Sequence, residues 1–219
     1  MKHILIPTTY GSDTVDAMKV AANLATAGEC EITLLSISPL PDSITDLLFI
    51  TKPEHLALEK HDALMRDWQT VQQHQSVRPT VNEHHRFGIT EPVLKQIMQR
   101  LSVDIVVIPP SFQQSTEFAH TLFIRLLRKS HCPAMFLPQW KNTPEHLRRA
   151  LFIDAGKYPG EALESLPFHI IHQSMIRPTE HLSLRQIVEN HQIDLIVHGK
   201  TTPRAEQEIS NLGLPVLAV

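Results

Sequence analysis

Fourteen histidines, two cysteines and 23 acidic side chains in 219 residues supply ample raw material for metal binding or catalysis. Their spacing does not fit either use. His84 and His85 are adjacent, and His169 and His172 are three apart, so on a strand each pair faces opposite sides and cannot chelate together. His131-Cys132 lacks a second Cys or His pair nearby, and neither H-E-x-x-H nor C-x-x-C occurs. Surface or interface histidine is the reading, with no metal ligands. A G-x-S-x-G elbow is absent. Cys132 precedes Pro133 at the entrance to an apolar run, where a structural thiol is expected rather than a nucleophile. No catalytic residues are assigned. Phosphate chemistry fares no better. The chain holds seven glycines, none between positions 89 and 155, and contains neither G-x-G-x-x-G nor G-x-x-x-x-G-K-[ST].

What remains are hydroxyls, prolines and one His-Thr pair at the ends of apolar runs. His3-Ile4-Leu5-Ile6 reads as a buried strand closed by Pro7, followed by Thr8 and Thr9. Gly11-Ser12-Asp13 offers a turn and an N-cap for a helix on Val15, Met18, Ala22 and Ala25, with Gly28 at its C-cap. Glu31 to Ser38 is the next strand, ended by Pro39 and Pro41. Residues 53–76 are helical, Val81 to Phe87 is a strand, and Glu91 to Leu101 is an amphipathic helix. Asp104 to Ile108 is a continuous apolar run, as a central parallel strand requires, and it runs into Pro109-Pro110-Ser111. A helix at 118–130 and a strand at 134–137 follow. Strand and helix alternate, which predicts an α/β fold with a doubly wound parallel sheet. In such a sheet the crevice lies beyond the carboxyl ends of the strands. The candidate ligand-binding residues are therefore Pro7, Thr8, Thr9, Ser38, Pro109, Pro110 and Ser111, with His120 and Thr121 as neighbours. Thr8, Thr9 and Ser111 could hydrogen-bond a small polar ligand; equally, they could cap helices and close turns.

The rest of the composition is that of an ordinary globular chain. Hydrophobic residues make up 42%, charged residues 20%, and the formal net charge is −3. Nothing forecasts a nucleic-acid or membrane partner. The opening apolar run is too short for a signal peptide, and no long apolar span appears. Two cysteines point to a reducing compartment, with the cytoplasm as the default.

The second part of the chain repeats the pattern in shortened form. Strands are expected at Arg149–Asp154, 168–173, Leu195–Val197 and Pro215–Val219, with helices at 159–166, Ser183–Asn190 and 203–211. The stretch Leu94–Ser111 aligns with Leu184–Thr201 at a constant offset of 90, with Leu, Gln, Ile, Asp and Val recurring. Cys132–Leu137 answers to Leu214–Val219. The expected organisation is one α/β domain over residues 1–140 and a truncated second copy over 147–219.

The order of motifs resembles the universal stress protein family, whose fold is also described as adenine nucleotide alpha hydrolase-like. The carriers are Lys2–Ser12, the Phe87–Pro92 stretch with its helix and the strand at Asp104–Ile108, and Cys132–Leu137. The likeness covers residues 2–138 well and 148–219 in part. It implies a five-stranded parallel sheet and dimerisation, often through the last strand. It also implies, in many members, ATP bound at a loop after the fourth strand with two spaced glycines and a later Gly-Ser or Gly-Thr. Here that loop reads Pro109-Pro110-Ser111-Phe112-Gln113-Gln114-Ser115; the prolines remove N–H donors and fix φ. Ala119-His120-Thr121 stands where Gly-Ser would be, and Thr8 stands where the family's Asp would be. The resemblance therefore implies a non-enzymatic stress-response or regulatory protein that binds a small molecule or protein partner, without a cofactor. It is expected as a homodimer or internal pseudo-dimer, and a nucleotide-binding member with at most weak hydrolase activity is the alternative.

Overall fold

A computed structural model describes residues 3–25, 30–40, 55–73, 78–140, 143–144, 146–153, 168–173, 183–199, 209 and 212–219. The expected helices at 159–166 and 203–211, apart from Ile209, and the expected C-cap at Gly28 lie outside these residues. In chain order the elements are β1 (His3–Pro7), α1 (Asp13–Leu24), β2 (Glu31–Ser38), α2 (His55–Gln72), β3 (Thr80–Phe87), α3 (Glu91–Arg100), β4 (Ile105–Ile108), α4 (Pro110–Gln113), α5 (Phe118–Lys129) and β5 (Ala134–Phe136). They continue with β6 (Arg149–Phe152), β7 (His169–His172), α6 (Leu184–His191), β8 (Leu195–His198) and β9 (Val216–Ala218).

The described strands form one nine-stranded sheet in the order β3-β2-β1-β4-β5-β9-β8-β6-β7. Every pairing is parallel except β5 with β9, which is antiparallel with Met135 opposite Leu217. The central strands are apolar on both faces because helices cover both. Ile4 and Ile6 face α1 and α2 together with Met18, Leu64 and Trp68. Leu5 points the other way, into a cluster with Leu94, Ile97, Phe112 and Phe123 from α3, α4 and α5. This is the period-two alternation of a strand, read from both sides. The first core cluster does not stop at β5. It runs through Met135 and Leu217 to Ala150, Phe152, Leu195 and Val197, so the antiparallel seam is packed as interior.

Local sequence explains the element ends. Thr90 precedes Glu91-Pro92, and the proline sits in the first turn, where its missing N–H costs nothing. Ser183 caps α6 and Gln186 reciprocates, a capping box. Gly88 takes a positive φ of 67° where β3 ends, a conformation open to glycine. Among the described elements, the one absent from the sequence expectation is α4. Pro109-Pro110 reads as a loop, but Pro110 occupies the first turn of a short helix, which proline tolerates. No described helix is long and apolar enough to cross a membrane.

Candidate functional site

The carboxyl ends of β1 and β4 meet where the strand order reverses, and the loops leaving them build the site. Asp13, the first residue of α1, reaches across to α4. Its Oδ2 accepts from the Ser111 backbone N–H at 2.6 Å, and its Oδ1 accepts from Ser111 Oγ at 2.8 Å. A charged acceptor on two donors makes these strong bonds. Thr9 Oγ1 donates to the same Ser111 Oγ at 2.9 Å. Gly11 makes the approach possible: a Cβ there would lie 2.7 Å from Asp13 Oδ1 and 3.3 Å from Ser111 Oγ.

The other strand ends are closed in the same manner. Gln113 Nε2 donates to the Ile108 carbonyl at 2.9 Å and to the Leu137 carbonyl at 2.8 Å, tying the exits of β4 and β5. His120 Nε2 lies 3.0 Å from the Ile37 carbonyl at the end of β2, and its Nδ1 lies 2.7 Å from Ser115 Oγ. A carbonyl only accepts, so Nε2 carries the hydrogen and the neutral ring accepts from Ser115 at Nδ1. Burial holds the His120 pKa below its ordinary value, partly offset by the Ile37 bond, which agrees with a neutral ring. The ring also packs on Phe112, centroids 4.4 Å apart.

Of the residues expected to bind ligand, Pro110 and Ser111 line a cleft of about 320 Å3. Thr8 is 2% exposed; its Oγ1 accepts from the Tyr10 N–H and shares a bond with Thr14 Oγ1, so it closes the β1–α1 turn. Pro7 ends β1 and is buried, Ser38 ends β2 with its carbonyl accepting from Gly88 N–H, and Pro109 is buried ahead of α4. His120, 7% exposed, faces inward, and Thr121 Oγ1 bonds back to the Phe118 carbonyl within its own helix. The structure thus brings Thr9 and Ser111 together and directs His120 and Thr121 elsewhere. The remaining wall comes from Gly11, Ser12, Asp13, Asp16 and Gln114, and from Leu137 to Trp140 after β5. Asp16 is held by Lys19 at 3.0 Å and by Thr143 Oγ1. The sequence signal for Asp13 was a helix cap. Ser12 is the N-cap and makes no side-chain cap bond, and the neighbouring Asp13 carboxylate bonds α4.

A second polar cluster lies under α2. Tyr10, at a φ of 59°, is half-buried; burial raises its phenol pKa, and a hydrogen bond to Ser36 partly offsets this. Ser36 Oγ shares a 2.7 Å bond with His85 Nδ1, while His85 Nε2 is buried without a partner. His61 pairs with Glu83 beside them. Among the described residues no three His, Cys, Asp or Glu side chains are grouped to hold a metal ion. Cys30 is buried, and Cys132 is half-buried with its thiol directed at backbone carbonyls.

Residues 1–138 match the universal stress protein family. A search of the curated proteins returned no match. Among solved structures the chain is similar to a universal stress protein from Archaeoglobus fulgidus DSM 4304, at 13% identity and a TM-score of 0.56, covering 99% of this chain and 97% of that one. It is also similar to a functionally unknown protein from Pseudomonas aeruginosa PAO1, at 12% identity and a TM-score of 0.51, covering 100% of this chain and 92% of that one. At these identities the likeness concerns the fold. Together with the strand order and helix placement, the match over residues 1–138 establishes that the chain belongs to the universal stress protein family.

Proposed function

We propose that this protein is a non-catalytic, cytoplasmic stress-response regulator that binds a small molecule or protein partner and does not hold ATP through a glycine loop. One observation carries this reading. Polar groups at the strand ends are bonded to the protein's own side chains: Asp13 on the Ser111 donors, His120 on the Ile37 carbonyl, and Gln113 on the Ile108 and Leu137 carbonyls. A phosphate at Ser111 would have to displace a carboxylate of its own sign. Each broken charge-assisted bond costs roughly 1.5–3 kcal/mol before any gain from the ligand.

We further read residues 147–219 as a truncated second copy. The order β9-β8-β6-β7 mirrors β5-β4-β1-β2 across the antiparallel seam. The equivalent aspartates do the same work: Asp104 N–H donates to the His3 carbonyl at 2.9 Å while its carboxylate accepts from His3 N–H at 3.1 Å. Asp194 N–H donates to the Arg149 carbonyl at 2.9 Å while its carboxylate accepts from Arg149 N–H at 3.1 Å. These two aspartates are the ones that recur at the offset of 90 in the sequence. In this reading β9 fills the edge of β5 that a second protomer would otherwise occupy, and the chain is its own pseudo-dimer.

The test is a calorimetric titration with Mg-ATP, ADP, AMP and cAMP, paired with a phosphate-release assay. No saturable heat and no release are expected. Saturable binding at or below about 1 mM would overturn the reading, because the Asp13–Ser111 contact would then not keep a nucleotide out.

A further inference from the structure

The cleft of about 320 Å3 at the β1–β4 reversal presents polar groups to a ligand at this crevice. Its size sits at the lower end of small-molecule pockets, about 300–1,000 Å3, and suits an occupant smaller than a nucleotide. Its charge narrows the class further. Asp13 and Asp16 line it, no lysine or arginine does among the described residues, and Lys19 stands beside it with its ammonium on Asp16. The N-terminus of α1 adds roughly half a positive charge. Among the described residues, two carboxylates against one ammonium and a half-charge leave the cleft close to neutral and slightly negative. The slight negative charge disfavours a phosphate, while a small cation gains little because most of the negative charge is already balanced.

An uncharged ligand rich in hydroxyls meets neither objection. The carboxylates accept from hydroxyls in charge-assisted bonds, and the exposed Ser12, Gln114 and Gln139 both donate and accept. Trp140, half-buried in the wall, offers an apolar face to ring C–H groups. We propose that this cleft binds a small uncharged polyol of monosaccharide size. The inference rests on the reading that Asp13 and its neighbours already occupy the crevice's phosphate-binding groups.

The chain carries its own reporter. It has two tryptophans, of which Trp68 is 1% exposed in the core and Trp140 lines the cleft. The experiment titrates the full chain with ribose, glucose and inositol to about 50 mM, following tryptophan emission, with putrescine, adenosine and ATP as comparators. A saturable emission change with at least one polyol is expected, lost in Trp140→Phe and weakened about tenfold in Asp16→Asn. Gln114→Ala sits at an exposed position and keeps the test valid if Trp140→Phe does not fold; it is expected to weaken binding by about fivefold, read by calorimetry. The proposal is overturned if no polyol gives a saturable response, if the response persists unchanged in Gln114→Ala and Asp16→Asn, or if putrescine or adenosine binds more tightly than every polyol. Silence from polyols and ATP alike would sink this inference alone, whereas ATP binding would sink the reading beneath it as well.

Discussion

Replacing Asp13 by alanine tests the central contact of the crevice. The carboxylate holds two donors of Ser111, at 2.6 and 2.8 Å, and sits in the first turn of α1. Bonds to a charged acceptor contribute about 1.5–3 kcal/mol each when no substitute is available. Here substitutes exist: the site is only part-buried, water can reach the freed N–H, and the Ser111 hydroxyl still has Thr9 as a partner. The lost bonds therefore contribute about 1.5–2 kcal/mol in sum, and loss of an acidic group at a helix N-terminus adds about 0.3–1 kcal/mol. The expected destabilisation is about 2–3 kcal/mol by urea unfolding at pH 7, or about 5–10 °C in Tm for a chain of this length. Ser111→Ala keeps the backbone bond and should cost about half as much. Because both substitutions act on one pair of groups, the double variant should fall short of additivity by about 1 kcal/mol or more. A cost below about 0.5 kcal/mol, or full additivity, would refute the claim that this contact closes the crevice.

Four further outcomes follow from the same geometry. In Asp13→Ala the Ser111 N–H is released, so millimolar phosphate should raise Tm in that variant and leave the parent unchanged, as read by differential scanning fluorimetry. Gln113→Ala removes two bonds to strand-end carbonyls and should cost about 2 kcal/mol, measured by urea unfolding. Burial lowers the pKa of His84, His85 and His120, so the unfolded chain takes up protons more readily than the folded one as pH falls below about 6.5; stability present above that pH is lost on acidification, and His120→Leu should flatten the acid limb of a urea-midpoint profile while lowering the plateau. The full chain should elute as a monomer in light-scattering chromatography, whereas a fragment ending at residue 138 exposes the β5 edge and the Met135 surface that Leu217 covers, and should dimerise or aggregate.

The sequence by itself determined the elements and their alternation. Apolar runs such as Ile4–Ile6 and Ile105–Ile108 announce strands buried on both faces, because only parallel strands between two helical layers need apolar residues at every position. The helix on Val93, Leu94 and Ile97 was legible from its period, and the offset of 90 was legible as recurring residues. The absence of closely spaced glycines was equally plain, and it argues against one kind of phosphate site. The occupants of the crevice were not legible. Asp13 and Ser111 stand 98 positions apart, and His120 and Ile37 stand 83 apart. Nothing local distinguishes a carboxylate that caps its own helix from one that caps another, since both begin with an acidic residue in a first turn. That choice was settled when β1 and β4 became neighbours and Gly11 left room for the approach. Likewise, a helix-borne His-Thr pair reads as two exposed polar residues until packing turns His120 inward against Phe112. Local pattern fixes which residues bury; only the assembled sheet decides which polar groups meet at its edge.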